Sequence, residues 1–227
     1  MKFNKKKVFV SALAISLIAI LSFGTLAWFT DSDFVNNDFM ITDSEQVTTP
    51  DDVFSINIYE TAVDADGNVL KDNAGNDLTT EVGNTYDNIA PGDVLKKDPT
   101  IKNTGKYDQW VRVKVTVTNA SAWLALVNKY GLLLETDLFT DFDIDAWQSE
   151  GVATPDANDK ITFTYYLKDT LAAGDSITMF TNVTIPSIFN QEDMASIKDF
   201  SLKFVAEAVQ VENTKETAIE SFAFVGM

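Results

Sequence analysis

The sequence predicts a mainly β protein, a jelly-roll-like antiparallel β-sandwich with a few short flanking helices. Three observations lead there. Several short runs alternate apolar and polar residues, the period of a half-buried strand. Clusters of Gly, Asp and Asn separate those runs. The 227 residues are 45% hydrophobic at a net charge of −17, enough apolar side chain for a real core despite the acidity.

The chain opens with Lys2, Lys5, Lys6 and Lys7, then the uncharged apolar run Val8 to Leu21, then small residues. That order is a secretory signal peptide over residues 1–27, with Thr25 and Ala27 at the −3 and −1 positions before Trp28. Cleavage there would remove four lysines and take the charge from −17 to −17 − 4 = −21. The alternative is an uncleaved anchor, because Val8 to Phe29 is about long enough to span a bilayer. The small-residue site favours cleavage, which leaves no membrane attachment.

Residues 28–47 form an extended N-terminal segment. Trp28, Phe29, Phe34, Val35, Phe39, Met40 and Ile41 alternate irregularly with Asp31, Asp33, Asn36, Asn37 and Asp38. In "NDFMIT" (37–42) an extended backbone puts Phe39 and Ile41 on one face. Two readings stay open. The segment is the first strand of its own domain, or it is donated to the open sheet edge of another molecule. Head-to-tail donation does not close on itself, and so makes fibres.

Residues 48–227 read as one sandwich domain. Strands are expected over 53–59, 109–119, 160–167, 176–185 and 199–211. The clearest is "QWVRVKVTVTN", where Val111, Val113, Val115 and Val117 form a buried face against a wet face of Trp110, Arg112, Lys114 and Thr116. Turns fall at "DADGN", "DNAGND", "APGD", "NTG" and "AAGD". "IAPGDVL" and "LAAGDSI" share a pattern, too short to count as a repeat. Helices are expected over 121–134, with Ser121 as N-cap, and more briefly over 190–197 and 213–224.

Composition excludes several kinds of chemistry. With no Cys and no His there is no disulfide, no His-dependent catalytic triad and no Cys- or His-ligated zinc. Strong acidity argues against nucleic acid and against anionic membrane surfaces. Asp64, Asp66 and Asn68 have the i, i+2, i+4 spacing of a calcium loop, but Gly67 and Gly75 fall at the wrong places for an EF-hand. They remain a weak calcium candidate beside the plainer reading of a polar hairpin. No cofactor and no catalytic residues are assigned.

"GTLAWFTDSD", "NIAPGDVLKKDPTIKNTGKYDQWVRVKVTV" (88–117) and "DFSLKFVAEAVQVEN" (199–213) together resemble the TasA/camelysin family of Gram-positive-type secreted proteins. The matches are spread over most of the chain, with 120–160 left out. The resemblance implies a jelly roll and a signal processed by a signal peptidase of the endoplasmic-reticulum type. It further implies biofilm-matrix fibres built by N-terminal strand donation, with the donor starting at Trp28 and reaching about Ile41. Pro91, Gly92 and Asp93 are the family's turn motif. The expected product is a homopolymer in the extracellular matrix or on the cell surface, with an accessory matrix protein as a possible partner. A monomeric binding module is the rival reading. The family's metallo-endopeptidase label is at odds with a chain that lacks His and H-E-x-x-H.

Overall fold

The computed structural model describes residues 30–37 and 54–227, apart from 152 and 199. Residues 1–27, the expected signal peptide, lie outside them. Among the described residues no helix is long and apolar enough to cross a membrane.

The architecture is mainly β, with every sheet antiparallel. The strands are β1 (Thr30–Asn37), β2 (Ile56–Thr61), β3 (Thr79–Thr80), β4 (Val94–Lys96), β5 (Thr100–Asn103) and β6 (Gln109–Val117). They continue with β7 (Phe139–Thr140), β8 (Trp147–Ser149), β9 (Ile161–Leu167), β10 (Ser176–Thr178), β11 (Asn182–Thr184) and β12 (Leu202–Gln210). One sheet runs β1-β12-β6-β9-β8. Two smaller sheets, β10-β5-β2-β3 and β4-β11-β7, make up the opposite layer.

One core joins the layers. From the large sheet come Val111, Val113, Val115 and Val117, together with Leu202, Phe204, Ala206 and Ala208; from the other layer come Ile56, Ile58, Ile101, Phe139 and Val183. This is the alternating inward face that a sandwich requires. The stacked rings of Phe139 and Phe180, 4.2 Å apart, sit in it, with Phe204 5.7 Å from Phe180.

Three expectations need correction. The run 176–185 is not one strand: Met179 and Phe180 are both buried, which breaks the period of two, and the chain passes from one small sheet to the other. The outer face of β6 is only partly wet. Trp110 and Arg112 are buried beneath the C-terminal helix α3 (Ala218–Val225), whose Phe222 packs with Trp110, Tyr166 and Val209. Finally, helix α1 (Ala120–Tyr130) stops at Gly131 and is not capped by Ser121. Asn119 occupies the N-cap with φ 51°, and Asp159 accepts from the Ser121 amide at 2.9 Å and from its hydroxyl at 2.6 Å. Trp123 anchors α1 on the core against Phe200, at 5.0 Å between ring centroids. The short helix α2 (Gln191–Ser196) begins with the capping box of Asn190 and Asp193.

Candidate functional site

The N-terminal strand and its slot are the first candidate. β1 lies at the edge of the large sheet and pairs antiparallel with β12 of its own chain, from Thr30 opposite Val209 to Asn37 opposite Leu202. Its backbone also runs close to β2 of the other layer, so it closes the seam between the two layers. Only Phe34 and Val35 of "TDSDFVNN" are hydrophobic. A strand with so little apolar content is weakly specified in register and prone to alternate pairing. Trp28, Phe29, Phe39 and Ile41 of the expected donor, and Thr25 and Ala27 of the expected cleavage site, lie outside the described residues.

The strand that β1 lies against has a second partner. β12 is held on its other side by a nine-residue ladder to β6, Leu202 opposite Val117 through Gln210 opposite Gln109. Across that ladder Glu207 pairs with Arg112 and, at 2.9 Å, with Lys114. Lifting β1 away would leave β12 in place with one row of backbone groups unpaired, a template for another strand.

The turn Pro91-Gly92-Asp93 has a twin. The Asp93 amide donates to the Ala90 carbonyl, the Gly92 amide to Ile185, and the Ile185 amide to the Asp93 carbonyl. At the second site Asp175 donates to Ala172, Gly174 to Asn103, and Asn103 to Asp175. Gly92 and Gly174 have φ 92° and 84°. Both are turns whose glycine and aspartate oppose a single residue of the facing chain, the pattern of a glycine β-bulge. The shared sequence pattern is thus a shared structural device.

The calcium candidate is a turn of the same kind. The Asp64 carboxylate accepts from the Asn68 side chain (3.1 Å) and from the amides of Asn68 (2.9 Å) and Asp66 (3.0 Å), and these bonds hold its pKa below the usual carboxylate range. Asp72 repeats this with Ala74 and Asn76. Among the described residues no group of three or more acids is arranged to hold a metal. An open cleft of about 460 Å³ lies beside the second bulge, lined by Leu167, Leu171, Ile177, Asp169 and Asp175. Both aspartates are solvent-exposed.

Sequence reading missed a buried polar centre between the layers. Glu60 of β2 is fully buried and Lys97 is 2% exposed, with Lys97 Nζ 2.6 Å from Glu60 Oε2. The other oxygen, Oε1, accepts from Asn84 Nδ2 at 2.9 Å. Asn84 Nδ2 also donates to the Thr61 carbonyl at 2.8 Å, while Asn84 Oδ1 accepts from the Val63 amide at 2.9 Å. The Lys97 ammonium sits 4.6 Å over the ring of Phe204, the β12 residue opposite Val35 of β1. Tyr86 closes one side and donates to the Lys96 carbonyl. A faint sequence trace existed: Glu60 continues the phase of Ile56 and Ile58, and Lys97 lies in phase with Leu95 and Ile101.

No protein-family model, no curated protein and no solved structure matches this chain.

Proposed function

We propose that the protein is a secreted structural subunit of extracellular matrix fibres, assembled by exchange of its N-terminal strand between neighbours. The observation that supports this reading is the edge strand β1: N-terminal, poor in hydrophobes, and laid against a strand that is already fully paired on its other side. In a single chain β1 fills its own slot. In a fibre the same slot takes the neighbour's β1, and the backbone bonds are replaced like for like, so the exchange costs little. The proposed route is export, cleavage after Ala27 by an endoplasmic-reticulum-type signal peptidase, folding outside, and polymerisation; an accessory matrix protein is a natural partner.

Charge sets the conditions. At −17 − 4 = −21 per cleaved subunit, like-charge repulsion opposes packing and is screened over about 8 Å at physiological salt. Low pH and high salt therefore favour fibres. The test is electron microscopy of the pure chain starting at Trp28, at about pH 5 and about pH 7.5, where carboxylates differ in protonation. Fibres at the lower pH are expected. Monodisperse particles at both would favour the rival reading of a monomeric cell-surface or accessory binding module. That rival draws on the same structure, since β1 already pairs within its own chain.

A further inference from the structure

We infer that Lys97 and Asn84 become joined by an intramolecular amide bond, which the folded chain forms itself with Glu60 as the proton carrier. The observation is that Glu60 gathers an amine and a carboxamide at one buried place. One carboxylate holds the amine through one oxygen and the carboxamide through the other. The orientation of the Asn84 amide is fixed by its own partners, since Nδ2 faces two acceptors and Oδ1 faces the Val63 N–H.

Burial favours the form of Lys97 that reacts. A lysine attacks only as the neutral amine, and burial pulls the Lys97 ammonium below its ordinary pKa, against the opposing pull of Glu60. The proton that leaves Lys97 passes along the existing hydrogen bond to Glu60. The amine then adds to Asn84 Cγ. Negative charge develops on Asn84 Oδ1, where the Val63 N–H already points, as a donor in an oxyanion hole does. Glu60, now protonated, gives its proton to the departing nitrogen and takes one from the attacking nitrogen. The Nζ–Cγ bond forms, the Cγ–Nδ2 bond breaks, and one ammonia leaves. Of the three ammonium protons of Lys97, one stays on the new amide, one leaves with ammonia and one remains on Glu60. No oxidant, metal or cofactor takes part.

The bond would tie the loop after β3 to the end of β4, closing the segment that carries Pro91, Gly92 and Asp93. In a chain without cysteine it would supply a covalent tie that no disulfide can. It would also replace a buried ion pair by a neutral amide, removing the desolvation cost of two charges between the sheets. This inference does not depend on the fibre reading.

The experiment is mass spectrometry of the purified, folded full chain, followed by proteolysis. The expected result is a mass about 17 Da below that of the sequence, one ammonia, mapped to a fragment in which the Asn84 side chain is bonded to Lys97 Nζ. The Glu60→Gln variant should keep its full mass, and Asn84→Asp should lose about 18 Da, one water, because the leaving group differs. A wild-type chain that is folded by circular dichroism yet retains its full mass overturns the inference, leaving only a buried ion pair. Ammonia loss mapped to any other residue overturns it too. Because the wild-type mass decides, a variant that fails to fold does not blur the outcome.

Discussion

Glu207 on β12 faces Arg112 on the neighbouring strand β6, and its carboxylate bridges that guanidinium and the Lys114 ammonium. The Arg112 guanidinium in turn lies 4.3 Å over the ring of Phe222, so one ionic cluster ties β12 to the sheet centre and to helix α3. Glu207 is also the register partner of Ser32 in β1.

Removing Glu207 leaves Arg112 buried without its carboxylate. Glu207→Ala should lower unfolding stability by about 3 kcal/mol, the cost of an uncompensated buried charge. Lys114 is a third exposed, and Lys114→Ala should cost less than about 1 kcal/mol. Urea unfolding of the two variants separates them; equal effects would mean that the cluster does not anchor β12.

The two glycine bulges make a backbone prediction. A Cβ on Gly174 meets nothing within 4 Å, and one on Gly92 meets only Ser187 at 3.7 Å, so packing does not forbid alanine at either place. The positive φ does. Gly92→Ala and Gly174→Ala should each destabilise by about 1–2 kcal/mol, measured by thermal or urea unfolding. A neutral result at both would contradict the bulge geometry.

Acid should act on the docking of α2 against α1. Asp193 accepts from Lys129 at 2.8 Å, from the Tyr130 hydroxyl at 2.6 Å and from the Asn190 amide at 3.0 Å, and these bonds hold its pKa down at about 2. A folded pKa below the unfolded value of about 3.9 stabilises the fold fully above that value, and the contribution is lost as pH falls toward 2. The stability gap between wild type and Asp193→Asn should therefore be constant above about pH 5 and shrink below about pH 4. A gap that does not change with pH would contradict the assignment. At about pH 5, where fibres are expected, this contact is intact.

Much of the sandwich was legible from period two. The valines of β6 and the Leu202, Phe204 face of β12 bury as the alternation indicates. What failed were statements about distant partners. Nothing local to Trp110 and Arg112 tells that Phe222, more than a hundred residues later, will cover them. The Ser121 cap failed likewise, because Asp159 supplies the acceptor from another loop. The break inside 176–185 was visible as the adjacent apolar pair Met179 and Phe180, which no single-faced strand can bury on one side. The Glu60, Asn84 and Lys97 centre was hidden because charged residues in phase with a buried face look, one at a time, like strand ends. Only the fold shows that they meet.

The most direct test of strand exchange uses the absence of cysteine in the chain. Phe34 and Val205 are register partners in the β1–β12 ladder, and antiparallel partners lie within disulfide reach. Single variants Phe34→Cys and Val205→Cys are mixed in equal amounts, brought to fibre-forming conditions and oxidised. Exchange of β1 between subunits predicts disulfide-linked heterodimers in the fibres, one chain of each variant. Fibres that form from this mixture with no such heterodimer, while the double variant closes its disulfide within one chain, would contradict the account.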